Sequence, residues 1–107
     1  MNGADVPDGP IRVKALASLA PLVPRYLAMR AEDVAEMRRA SAEGDLEPIR
    51  YIGHKMAGSG GGYGFDQLSE LGVRIEQAAC ENDAEACAGY AGELASFLDR
   101  VEVHYGG

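Results

Sequence analysis

Between Leu46 and Tyr63 the apolar residues recur at helical intervals, and this period constrains the chain more than any other feature. At about 100° per residue, Leu46, Ile49, Ile52, Gly53 and Met56 occupy one sector, and Tyr63 rejoins it if the helix runs that far. This sector must be buried. His54 lies roughly 160° from its centre at the same angular step, so a helix packed on this stripe holds the imidazole in water. A core histidine would not occupy that position.

The outer face around His54 carries Arg50 and Tyr51 on the turn before it and Ala57, Gly58 and Gly61 on the turns after it. A glycine inside a helix costs about 0.5–1 kcal/mol relative to alanine, so Gly58, Gly60, Gly61 and Gly62 together give up roughly 2–4 kcal/mol. A total stability of about 5–15 kcal/mol does not absorb such a loss without reason. Either the glycines form a loop, or they leave bare backbone that lets another surface approach the histidine. Met56, Tyr63 and Phe65 keep an apolar helical rhythm through the run, which favours close approach.

The remaining chain supplies compatible helices. Residues 1–10, with two prolines, two glycines and two aspartates, read as a flexible N-terminal arm. Val13, Leu16 and Leu19 predict a short helix over Ile11–Leu22 that ends at the prolines and caps a bundle. Pro24 suits the first turn of a second helix, whose stripe is Val23, Leu27, Val34 and Met37 and whose stop is Gly44. Asp45 is a suitable N-cap for the helix that presents His54. Phe65, Leu68, Leu71, Ile75 and Ala79 line a fourth helix. Cys87, Tyr90 or Ala91, Leu94, Leu98, Val101 and Tyr105 line a fifth, from about Asp83 to Val103. Only VEVHY near the end reads ambiguously as a strand. The expected fold is all-α: an antiparallel up-down four-helix bundle with a short N-terminal helix, one domain over residues 11–107.

A formal charge of -7 argues against a nucleic-acid surface and against an anionic membrane. No apolar run approaches the roughly 20 residues that span a bilayer, and the first residues lack the pattern of an export signal, so a cytoplasmic location is expected. Cys80 and Cys87 are expected reduced and partly buried, and with His54 and His104 they give no metal-ligand spacing.

The segment GHKMAGSGGGYGFDQLSELGVRIEQAA resembles the central motif of the histidine-containing phosphotransfer (HPt) domains of bacterial phosphorelays. The likeness rests on His54, Gly58, Gly64, Leu68, Leu71, Ile75 and Glu76. One position departs from it: many family members carry a lysine three residues after the histidine, whereas this chain has Ala57 there and a lysine at Lys55. The resemblance implies that His54 accepts a phosphoryl group from a receiver-domain aspartate and passes it to another receiver. Response-regulator receivers and a sensor histidine kinase are then the partners of a monomeric chain.

An imidazole with its ordinary pKa near 6.5 offers a neutral nitrogen nucleophile at physiological pH, which suits that role. No Walker or kinase signature is present, so the chain is not expected to use ATP itself. No cofactor is expected, Mg²⁺ being supplied by the receiver. Lys55 or Arg50 could offset charge on the phosphohistidine, or be two solvated cations on a helix face. Glu76 could accept a hydrogen bond from the ring, or be a solvated glutamate. Tyr51, Ala57, Gly58 and Gly61 are the expected docking face. The alternative function is a non-catalytic helical adaptor that docks a partner through the glycine-rich face.

Overall fold

A computed structural model describes residues 9–106. The predicted N-terminal arm therefore lies outside the described residues, except for Gly9 and Pro10. Four helices make up most of the structure: α1 Val23–Glu43, α2 Glu47–Ser59, α3 Asp66–Cys80 and α4 Ala84–Arg100. Each packs on two others, α1 and α3 both touching α2 and α4. The chain is thus predominantly α-helical, as its periodicity predicts.

Helix boundaries follow local chemistry. Pro24 sits in the first turn of α1, where its missing N–H is not needed. Gly44 ends that helix in the left-handed conformation at φ 76°. Asp83 caps α4 by accepting from the Ala86 N–H at 3.0 Å. Asp45 falls one residue short of the cap of α2, which begins after Leu46, and its carboxylate reaches the Glu47 N–H only at 3.4 Å.

The core forms where the four apolar stripes meet. Met37, Ile49, Met56, Phe65, Leu68, Ile75, Cys87 and Leu94 are fully buried. Phe65 meets Phe97 edge-on at 6.3 Å between centroids, and Tyr26 stacks on Tyr63 at 4.2 Å. Cys87 is buried as expected, and desolvation lifts its thiol above the ordinary range. Cys80 is exposed, contrary to the expectation of partial burial.

Both ends of the chain depart from the all-helical expectation. Ile11–Leu16, expected as part of a short helix, is a strand, β1. It pairs in parallel with a second strand, β2 Val101–Gly106, in the register Ile11↔Val101 to Leu16↔Gly106. The last helix therefore stops at Arg100 instead of running to Val103. Ile11, Val13 and Ala15 turn toward the core while Arg12 and Lys14 turn outward, the period of two that a half-buried strand requires. A single turn of 3-10 helix over Ala17–Leu19 is all that remains of the predicted N-terminal helix. Ile11, Val13, Val101 and Val103 of the strands pack against the helical core, and the Arg100 Nη1 donates to the Gly9 carbonyl at 3.0 Å.

Candidate functional site

His54 lies mid-way along α2 on the face opposite the buried residues Ile49, Gly53 and Met56, and its side chain is 68% exposed. The helical phase read from the sequence holds here. Leu46 is buried with the stripe, while Ile52 sits at its edge, half-buried.

The ring is aimed by the helix crossing beneath it. A Cβ placed on Gly53 would lie 2.5 Å from the Glu76 nitrogen and 2.8 Å from the Gly72 carbonyl oxygen. One placed on Gly72 would lie 2.5 Å from the Ala57 nitrogen. Neither position tolerates a side chain, so α2 and α3 touch backbone to backbone directly behind His54. This approach brings Glu76, one turn beyond Gly72, within reach of the imidazole, its Oε2 standing 3.2 Å from Nδ1. An ionised carboxylate can only accept, so Nδ1 donates across this contact and, in the neutral ring, the lone pair is left on Nε2. With Glu76 itself 31% exposed, the contact contributes little as an ion pair. Its consequence is orientation.

The other residues expected at the site distribute as follows. Arg50 spends its guanidinium on Glu47, with Nη2 to Oε2 at 2.6 Å, and makes no hydrogen bond to His54. The hydrogen bonds between them hold the Glu47 carboxyl below its ordinary range and Arg50 above its own. Lys55 places its Nζ 5.0 Å from the centre of the Tyr51 ring, itself 57% exposed. Ala57 is half-buried against Gly72, whereas Gly58 and Gly61 are exposed. Nothing lies within 4 Å of where a Gly58 side chain would begin.

The glycine run divides between its two readings. Gly58 belongs to α2 and is open, but the helix ends at Ser59. Gly61–Tyr63 form a 3-10 turn, and Gly64 is left-handed at φ 92°, so the helix does not run as far as Tyr63. Sequence reasoning also missed Ser69, whose hydroxyl donates to the Ala57 carbonyl at 2.7 Å and accepts from the Gly61 N–H at 3.1 Å. One side chain thus ties the end of α2 to the turn. Gly72, whose backbone meets α2, was missed as well, and nothing in the sequence marked Ser69.

A family model described as the Hpt domain matches residues 22–104. The chain belongs to the Hpt domain family. Neither the curated proteins nor the solved structures contain a significant match to it. Membership implies a histidine phosphotransfer role in phosphorelays and interaction with receiver domains and histidine kinases. Among the described residues no helix is long and apolar enough to cross a membrane, and no three His, Cys, Asp or Glu side chains converge as metal ligands.

The Glu76 contact yields a test of its own. Truncation in Glu76→Ala should release the ring, lowering the transfer rate about two- to tenfold, the worth of one ordinary hydrogen bond. Glu76→Gln, whose carbonyl still accepts, should keep most of the rate. Imidazole ¹⁵N shifts should report the Nδ1–H tautomer in the unmodified Hpt protein and its loss in Glu76→Ala. An unchanged tautomer in Glu76→Ala would assign no orienting role to the carboxylate.

Proposed function

We propose that His54 is the phosphorylated nucleophile, accepting a phosphoryl group from a receiver aspartate and returning it to a second receiver. The observation that carries this reading is the exposed imidazole with its Nδ1 toward Glu76, beside a helix turn left bare by Gly58. The Nε2 lone pair attacks the phosphorus of the acyl phosphate. The N–P bond forms as the P–O bond to the aspartate breaks, and the carboxylate departs with the electron pair. Glu76 offsets the positive charge that the ring acquires. Onward transfer is the same step reversed, with a second receiver's carboxylate as nucleophile.

Mg²⁺ and the groups that hold the phosphoryl oxygens belong to the receiver in this reading. Response regulators and a sensor kinase are the partners, and the protein acts as a cytoplasmic monomer. The short links between consecutive helices support an antiparallel up-down order, which sets α2 and α3 side by side under the docking face. Tyr51 and Gly58 form the centre of that face, with Gly61 at its rim. Arg50, committed to Glu47, has a weaker claim to steady the phosphohistidine than Lys55.

Incubation with a phosphorylated receiver should place an acid-labile label on this chain, and an adaptor would acquire none. Gly58→Leu refines the test. In-line transfer needs the reacting atoms within about 3–3.5 Å, and a displacement on the order of 1 Å costs about a hundredfold. A Cβ at Gly58 meets nothing within 4 Å, so stability should hold or rise while transfer slows by about that factor. Normal transfer by Gly58→Leu would place the docking face elsewhere.

A further inference from the structure

The sheet formed by the chain ends has two edges, and they are not equivalent. The glycine turn lies against β1, where a Cβ on Gly64 would stand 3.0 Å from the Lys14 carbonyl oxygen. Along β2, from Glu102 to Gly106, no backbone group makes a backbone hydrogen bond to anything but β1 among the described residues. Two strands alone make a marginal sheet, and an uncovered edge offers donors and acceptors to a further strand.

The residues of β2 indicate what that further strand is. Only alternate residues present N–H and C=O at an edge, so the axis of a two-fold antiparallel pair passes through a residue and never between two. An axis at Glu102 sets carboxylate on carboxylate, and one at His104 sets imidazole on imidazole. An axis at Val103 sets Glu102 opposite His104 of a second copy, twice by symmetry, and Val101 opposite Tyr105. The imidazole has a ring N–H to donate to that carboxylate whether it is neutral or charged. Within one copy, Glu102 Oε1 stands 3.7 Å from Arg12 Nε and 3.9 Å from His104 Nε2, too long for hydrogen bonds, and all three side chains are more than half exposed. They are free to turn to a second copy. The other edge is unsuited to self-pairing, because β1 paired about Val13 would set Arg12 against Lys14.

We infer that two copies of this chain join β2 to β2, antiparallel about Val103, in a four-stranded sheet of order β1-β2-β2-β1. Tyr105, 43% exposed in the single chain, is covered against Val101 of the second copy. A six-residue strand gives a small interface, so the pair is weak and forms only as concentration rises. The phosphotransfer reading above concerns the dissociated monomer, and neither inference depends on the other.

Sedimentation of the full chain from micromolar to millimolar concentration, with amide NMR over the same range, tests the pairing. A monomer–dimer equilibrium is expected, with the largest concentration-dependent shifts along Val101–Gly106. His104→Glu should raise the dimer dissociation constant about thirtyfold, since two like-charged cross-strand pairs replace two favourable ones. Adding Glu102→Lys to His104→Glu exchanges the two signs and should bring the constant back to within about fivefold of the unmodified chain. Circular dichroism checks that both variants are folded. A chain that stays monomeric to millimolar concentration overturns the inference, whatever the variants do. So does a dimer indifferent to His104→Glu, one that the exchanged pair does not restore, or one whose shifts fall on the helices.

Discussion

Gly53→Ala is expected to lower the stability of this Hpt domain by about 1–3 kcal/mol or more, the cost of overpacking a close contact. Gly58→Ala, five residues on in the same helix, is expected to raise it by about 0.5–1 kcal/mol. Both exchanges gain the same helix propensity, so the difference isolates what each methyl group meets. At Gly53 it meets the α3 backbone at 2.5 Å, which cannot rotate away, and the helices must separate. At Gly58 it meets nothing within 4 Å. Urea unfolding of the two variants measures the contrast. Equal effects at the two positions would show that the crossing is loose and that His54 is not positioned by it. A separated crossing should also stretch the His54–Glu76 contact, so Gly53→Ala should lose transfer rate beyond its loss of folded protein.

His54→Gln is expected to abolish phosphoryl acceptance while leaving thermal stability nearly unchanged. An amide has no nucleophilic lone pair comparable to that of the imidazole, so chemistry stops. The side chain it replaces is mostly solvated and contributes one exposed contact to Glu76, worth at most about 1 kcal/mol. Substitutions on the surface usually stay within about 0.5 kcal/mol. A thermal melt alongside a transfer assay separates the two readouts. A large loss of stability would mean that the histidine serves packing instead.

The sequence made the site more legible than the chain ends. Leu46, Ile49, Gly53 and Met56 define a single helical phase, and that phase alone turns His54 outward. Ile11–Leu16 misled because Val13, Leu16 and Leu19 also fit a helical spacing, and six residues are too few for either period to dominate. What decides for a strand is Val101–Gly106, a partner at the far end of the chain, which no local reading can supply. In α4 the stripe continues through Phe97, fully packed on Phe65, while Leu98 is only half-buried. A spacing of three and one of four are both helical neighbours, and only the position of α3 chooses between them. The burial of Arg30 was not legible either, since an arginine on an amphipathic helix ordinarily reads as solvated.

The account's central claim is that phosphoryl chemistry takes place on one exposed nitrogen, and locating the phosphoryl group tests it most directly. After incubation with a phosphorylated receiver, ³¹P and ¹⁵N NMR of the purified chain should show a phosphoramidate on Nε2 of His54, labile in acid. His104, exposed on β2, should remain unmodified. A phosphoryl group on His104, on Nδ1 of His54, or on no residue of the chain would contradict it.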